Sequence, residues 1–177
     1  STSTAKAGLA RPATISSVAT PRAGPSVSPR NATARIAEMI GAVPISTAAR
    51  AIEPELRSGD LILVVAEEFP SNVLPWRRAA LETGASMVTV PAPTDGDWAK
   101  AILAAIEPRV KVVAVSTCHW TNGALVDLGP VAAACRANGS TLVVDATQTL
   151  GAMPFPLESV QPDFLAAASY KWQLGPY

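Results

Sequence analysis

The sequence has few of the features that mark several common protein classes. Aromatic residues make up only 5% of its 177 residues, and the formal net charge is zero. No segment approaches the roughly 18 to 20 consecutive apolar residues that a membrane-spanning helix needs, so we expect no membrane segment. No G-x-G-x-x-G motif or P-loop follows a strand-like segment, which argues against a nucleotide-binding protein.

Cysteine and histidine are also scarce. The two cysteines are Cys118 and Cys135, and the sequence has a single histidine. No C-x-x-C motif or His/Cys cluster with metal-ligand spacing is present, so we predict no metal site. Reduced thiols are typical of cytoplasmic proteins, and we expect a cytoplasmic location.

The N-terminal region lacks acidic residues. Residues 1–37 contain five basic residues and no acid, in a stretch rich in Ser, Ala, Thr and Pro. A transit peptide or a nucleic-acid-binding arm would both be basic, but these charges are dilute and have no aromatic residues between them. We therefore predict a poorly ordered leader over residues 1–33, no nucleic-acid partner, and a folded domain over residues 34–177.

From residue 59 onward, apolar strand-like segments alternate with amphipathic helical patterns. Predicted strands cover residues 61–66, 86–90, 110–116, 141–145 and 164–168, and predicted helices cover residues 73–83, 98–106 and 131–138. Strands that are apolar on both faces are covered on both sides, which predicts an α/β three-layer sandwich with a mainly parallel sheet. Because ligands bind beyond the carboxyl ends of such strands, the segments 67–72, 116–123 and 145–148 should converge on one crevice.

The segment before residue 59 is less regular. Residues 34–41 have a helical pattern that ends at a glycine, and residues 46–52 fit a short helix with Ser46 as its N-cap. Only four residues separate these two predicted helices.

Two ionisable residues stand in apolar surroundings. Asp145 closes the predicted strand 141–145, and Lys171 follows the predicted strand 164–168. Taken singly, Asp145 could cap a loop or helix, and Lys171 could be a solvated lysine of an edge strand. Taken together, they match pyridoxal phosphate, which requires a lysine amine for its Schiff base and a carboxylate against its pyridine nitrogen.

The sequence motifs around Asp145 and Lys171 resemble those of a known family. Asp145-Ala-Thr-Gln148, followed by Ser169-Tyr-Lys171-Trp-Gln-Leu-Gly-Pro, is similar to the class V aminotransferase superfamily, which includes cysteine desulfurases, kynureninases and isopenicillin epimerase-like enzymes. The resemblance covers about residues 34–177. It implies a partial large domain of a fold-type-I pyridoxal-phosphate-dependent transferase, without the C-terminal small domain, and a homodimer acting on a small amino acid or amine.

The resemblance also implies roles for individual residues. Lys171 would be the Schiff-base lysine and the base that moves the Cα proton, and Asp145 would hold the pyridinium. Gln148 would donate to the phenolic oxygen of the cofactor, although a helix-entry residue facing water is the alternative. Ser169 would contact the phosphate, or would be an ordinary serine at a strand end.

Two further residues are candidates for cofactor contact. Phe69 stands where cysteine desulfurases, in a similar Glu-x-x-x-Asn-x-x-Pro-Trp pattern, present a histidine that stacks on the ring. Phenylalanine stacks but carries no proton, which favours kynureninase-like or epimerase-like chemistry over desulfurase chemistry, unless Phe69 is simply a core residue. His119, the single histidine, is an auxiliary candidate or a packing residue.

The expected phosphate-binding turn is hard to find. Relatives place a strand and a Ser/Thr-rich turn between their first two helices, and that interval looks deleted here. Ser46 and Thr47 could replace it, with an ordinary helix cap as the alternative, and the similar run at residues 1–5 is more readily a coincidence. The shortened region leaves open that the polypeptide is a noncatalytic fragment or degenerate paralogue that acts as a dimerising scaffold.

Overall fold

The computed structural model of the protein describes residues 35–38 and 43–175. The helices and strands, in chain order, are β1 (Arg35–Glu38), α1 (Val43–Ile52), β2 (Leu61–Val65), α2 (Leu74–Thr83), β3 (Ser86–Val90), α3 (Trp98–Ala105), β4 (Val110–Ser116), α4 (Leu128–Asn138), β5 (Thr141–Asp145), α5 (Leu157–Val160) and β6 (Phe164–Ala167). Two short 3-10 helices cover Glu53–Glu55 and Pro70–Asn72. The predicted leader over residues 1–33 lies outside the described residues.

The strands form one parallel sheet in the order β1-β6-β5-β4-β2-β3. Its two faces carry separate apolar clusters, as the alternation along β2 shows. Leu63 and Val65 pack into the cluster that contains residues of α3 and α4, whereas Ile62 and Val64 pack into the cluster of α1 and α2. Both sheet faces are therefore covered by helices, which confirms the predicted α/β three-layer sandwich.

The predicted helix over residues 34–41 is wrong. Arg35–Glu38 form β1, which pairs in parallel with β6 so that Ile36 lies opposite Leu165. The hydrogen bonds of this segment come from a strand near the other end of the chain, and a local periodicity pattern contains no information about such a partner. Residues 34 and 39–41 of that prediction lie outside the described part.

Helix α1 begins before its predicted start. It begins at Val43, with Pro44 in its first turn, where the fixed φ of proline fits a helix and its missing N–H is not needed. Ser46 is therefore a helical residue of the first turn, and the prediction that it is the N-cap is wrong. Helix α4 begins at Leu128, earlier than predicted, because the Asp127 side chain caps it by accepting from the backbone N–H of Gly129 at 3.1 Å.

The remaining boundaries agree with the predictions to within one residue, and α5 was not predicted. Strands β3, β4 and β5 have the predicted ends. Within the described residues, no helix is long and apolar enough to span a membrane.

Candidate active site

A cavity of ≈ 490 Å³ opens beside the carboxyl ends of β2, β4, β5 and β6. This volume is within the range of about 300–1,000 Å³ that is typical of small-molecule sites. The lining residues are Ser46, Phe69, Pro70, Ser71, Leu74, Pro75, Arg78, Ser116, Trp120, Asp145, Thr147, Gln148, Ala168, Tyr170 and Lys171. All three segments that were predicted to converge contribute to this lining.

Asp145 forms part of the cavity wall from the last position of β5 and is only 8% exposed. One of its carboxylate oxygens accepts from the backbone N–H of Thr147 at 2.9 Å. Burial raises the pKa of the Asp145 carboxyl above its ordinary value of 3.8, while hydrogen bonds from Thr147 and the charge of Lys171 act in the opposite direction. A buried carboxylate of this kind interacts strongly with any cationic group placed against it.

Lys171 lies in the loop after β6, and its side chain reaches Gln148. The Lys171 ammonium donates to the side-chain oxygen of Gln148 at 2.9 Å, and the Trp172 indole N–H donates to the Gln148 backbone carbonyl at 2.9 Å. The backbone of Trp172 also approaches Gly151 so closely that a Cβ there would lie 2.8 Å from the Trp172 carbonyl oxygen. These contacts fix the Lys171 loop against the loop that follows β5.

Phe69 is a partly exposed wall of the cavity, with 42% of its surface exposed. Its ring meets the ring of Trp120 edge to face, with centroids 5.3 Å apart and an interplanar angle of 87°. The Trp120 indole N–H donates to the backbone carbonyl of Glu67 at 2.7 Å, which ties the loop after β4 to the loop that carries Phe69. The ring of Phe69 is therefore held by a neighbouring aromatic ring and by its own backbone.

His119 and Ser169 are buried and do not line the cavity. The His119 ring stacks on the Trp98 ring, with centroids 4.8 Å apart. Its Nε2 donates to the Ala66 carbonyl at 2.9 Å, and its Nδ1 forms a hydrogen bond with the Thr121 hydroxyl at 2.9 Å. These contacts correspond to the packing role that was the alternative for His119. Ser169 lies under the Lys171 loop and accepts, through its backbone carbonyl, from the N–H of Gly175 at 3.1 Å.

The two residues considered for phosphate contact differ in position. Ser46 lines the cavity from the first turn of α1. Thr47 is exposed, does not line the cavity, and donates its hydroxyl to the carbonyl of Val43 at 2.9 Å.

Comparison with known protein families shows that the family model described as Aminotransferase class-V matches residues 41–177. The chain belongs to the class-V aminotransferase family. The resemblance inferred from the motifs around Asp145 and Lys171 is thereby confirmed.

Curated relatives of the chain include cysteine desulfurases. The chain is 29% identical over 117 residues to a probable cysteine desulfurase of Vibrio cholerae, a match that covers 66% of this chain and 29% of that protein. It is 30% identical over 124 residues to cysteine desulfurase CsdA of Escherichia coli, with 67% of this chain and 30% of that protein covered. The matched part thus spans under a third of the length of these curated relatives.

Solved structures of a cysteine desulfurase and of a cystine C-S lyase share the fold. The crystal structure of Escherichia coli CsdA gives a TM-score of 0.71 at 26% identity, over 76% of this chain and 34% of that one. The complex of the cystine C-S lyase C-DES with its product cysteine persulfide gives a TM-score of 0.67 at 25% identity. This match covers 75% of this chain and 37% of that one. These similarities confirm a partial fold-type-I domain.

Three residues in or directly behind the cavity wall received no role from the sequence alone. Ser116 ends β4, beside Asp145 in the neighbouring strand, and Thr147 accepts from the backbone N–H of Ala168 at 3.0 Å, linking the loops after β5 and β6. Glu68 lies behind the cavity wall and accepts from the Ser116 hydroxyl at 2.8 Å. Their position could have indicated them in the sequence, since each of these residues lies at or just after the carboxyl end of a predicted strand.

Proposed function

We propose that the protein is a pyridoxal-5'-phosphate-dependent enzyme that acts on a small amino acid or amine. Family membership supports this cofactor. The observation that carries the proposal is that Asp145, Gln148 and Lys171 line one cavity, with the Lys171 ammonium 2.9 Å from the Gln148 side-chain oxygen. A buried carboxylate, an amide and a reachable lysine amine are the groups that this cofactor requires, so the residues fit it.

When bound, the cofactor supplies an electron sink that stabilises negative charge at the substrate Cα. Lys171 is the amine that would hold the cofactor aldehyde, and it would then move the Cα proton because it is the amine lining the cavity. Asp145 would keep a proton on the pyridine nitrogen, and its burial strengthens that interaction.

Gln148 is oriented by its neighbour. An ammonium group only donates hydrogen bonds, so the side-chain oxygen of Gln148 faces Lys171 and its NH₂ group remains to donate to another acceptor. This supports the proposal that Gln148 donates to the phenolic oxygen of the cofactor. Ser46 is the better candidate than Thr47 for the phosphate, since it lines the cavity.

Phe69 offers a ring face but no titratable atom, so we propose that proton transfer at the substrate runs through Lys171 and not through residue 69. The names of the relatives describe carbon–sulfur chemistry in cysteine desulfurases and a cystine C-S lyase. The proposal for this protein is coarser and includes transferase, lyase and epimerase outcomes, because the outcome depends on which Cα bond the substrate contacts hold perpendicular to the ring.

The surface around the cavity supports a homodimer. Phe69, Leu74, Trp120 and Trp172 are between 42% and 56% exposed, and the first three line the cavity. Exposed apolar side chains grouped at one place mark an interaction surface, and we propose that a second copy covers it. Sedimentation should show a dimer, and Leu74→Asp should weaken it. Leu81→Asp is the control, because Leu81 is exposed, does not line the cavity and lies two turns, about 10 Å, further along the same helix.

Borohydride reduction of the cofactor-treated protein tests the function directly. Peptide mapping should place the phosphopyridoxyl mass on the peptide that contains residues 169–173. Lys171→Met should abolish this label, whereas Lys111→Met, which removes an exposed lysine, should leave it unchanged. Labelling on Lys100 or Lys111 instead would refute the assignment, and no label at all would favour the noncatalytic scaffold.

A further inference from the structure

Glu68 is a buried carboxyl group directly behind the cavity wall, and it is only 7% exposed. One of its oxygens, Oε1, accepts from the backbone N–H of Phe69 at 2.8 Å and from the Ser116 hydroxyl at 2.8 Å. Both partners belong to cavity-lining residues, one after β2 and one at the end of β4. Glu68 therefore connects two walls of the cavity.

The second oxygen, Oε2, is buried and has no hydrogen-bond partner within the described part of the chain. The Asn72 side chain is fully buried in the same loop, and neither its oxygen nor its nitrogen has a hydrogen-bond partner there. Asn72 nevertheless lies close enough to lower the pKa of Glu68 slightly. Buried polar atoms of two neighbouring side chains therefore lack hydrogen-bond partners within the described residues.

Within the part of the chain that the structure describes, no cationic side chain acts on Glu68 to offset a negative charge. The charged group that acts on it is Asp145, which has the same sign. Burial is the largest cause that raises the pKa of Glu68 above its ordinary value of 4.5, and Asp145 raises it further, against the hydrogen bonds from Phe69 and Ser116 and the effect of the nearby Asn72 side chain. A buried carboxylate without a cationic partner, beside a second carboxylate, destabilises the folded state. A protonated Glu68 avoids this charge and could donate from Oε2 to the Asn72 oxygen.

We propose that Glu68 is held as a neutral carboxylic acid and acts as a positioning residue, which fixes the Phe69 and Ser116 walls while Asp145 carries the negative charge of the site. Protonation satisfies the otherwise unpartnered Oε2 and leaves both hydrogen bonds at Oε1 intact. That these fixed walls position a cofactor ring beside Phe69 and Asp145 rests on the proposed function. The protonation state of Glu68 does not.

Infrared difference spectroscopy on the protein without cofactor tests the protonation state. At neutral pH, the spectrum of the wild type minus that of Glu68→Gln should contain the carbonyl stretch of a protonated carboxyl, above the amide bands. The matched control is Glu67→Gln, which changes the adjacent exposed glutamate and should leave the band in place. Absence of the band in the wild type would overturn the proposal.

The pH dependence of unfolding provides a second test. A carboxyl whose pKa is raised by folding stabilises the native state below its unfolded pKa, and this contribution is lost as the pH rises through the folded pKa. The unfolding equilibrium constant of the wild type, relative to Glu68→Gln, should therefore rise by up to about tenfold per pH unit above pH 4.5. Asp145 is present in both proteins, so the difference reports the titration of Glu68 together with its electrostatic interaction with Asp145. A flat difference would contradict the proposal.

The positioning role is tested by rescue with the conservative variant. Gln keeps the shape and places an NH₂ group where Oε2–H stands, so Glu68→Gln should retain borohydride-trapped cofactor at the wild-type level, whereas Glu68→Ala should lose most of it. Equal losses in both variants would show that the charge matters and overturn the proposal. If Lys171 is never labelled while the infrared band is present, the proposed function fails and the state of Glu68 stands.

Discussion

Replacing Gly151 by alanine should displace the loop that carries Lys171. Gly151 has a φ of +101°, which side-chain-bearing residues rarely adopt. An added Cβ would also lie 2.8 Å from the carbonyl oxygen of Trp172 and 3.0 Å from its Cβ. Because backbone cannot yield as a flexible side chain does, the Trp172 segment has to move away.

A matched control separates the two effects. Gly59 has a similar φ of +91°, but a Cβ there meets nothing within 4 Å. Alanine at either position should cost about 1–3 kcal/mol in backbone strain. Only Gly151→Ala should also weaken the two hydrogen bonds that anchor the loop to Gln148. Because both are partly solvated, we take the net contribution of each as about 0.5–1.5 kcal/mol, which makes the further cost ~1–3 kcal/mol.

Denaturant unfolding and borohydride trapping measure the two consequences. Both variants should lose stability, but Gly151→Ala should also trap several-fold less cofactor on Lys171, since the amine leaves its position beside Gln148. Gly59→Ala should trap as much as the wild type. Equal trapping in the two variants would refute the reasoning, because the close approach of Gly151 and Trp172 would then have no part in placing Lys171.

Two further predictions concern buried titratable groups. In Asp145→Asn, turnover should fall about 10²-fold or more, while the free energy of unfolding at neutral pH stays equal or increases. The reason is that burial raises the pKa of Asp145, so its charged form lowers the free energy of unfolding as the pH rises through that pKa. Equal loss of activity and stability would indicate a structural carboxylate. Burial raises the pKa of Cys135 to about 12 and also raises that of Cys118, so thiol reagents at neutral pH should react slowly with Cys118 and with Cys135 only after unfolding; rapid reaction of native Cys135 would contradict this.

The sequence alone determined the framework of the fold. The strands 86–90, 110–116 and 141–145 have the ends that were predicted. For 110–116 and 141–145, which are almost wholly buried, the reason is that segments apolar on both faces and bounded by turn residues have few alternatives to a buried parallel strand. The same pattern placed Asp145 at a strand end, and the parallel arrangement made the convergence of the loops after β2, β4 and β5 predictable.

Tertiary structure decided the features that depend on a distant partner. Arg35–Glu38 became a strand only because β6 offered a free edge, and His119 became a packing residue because Trp98, Thr121 and Ala66 surround it. Glu68 gained its importance from the approach of Ser116 and Asp145. Local patterns report burial and periodicity along the chain, whereas these contacts arise between segments that meet only when the sheet is assembled, so no window of sequence contained them.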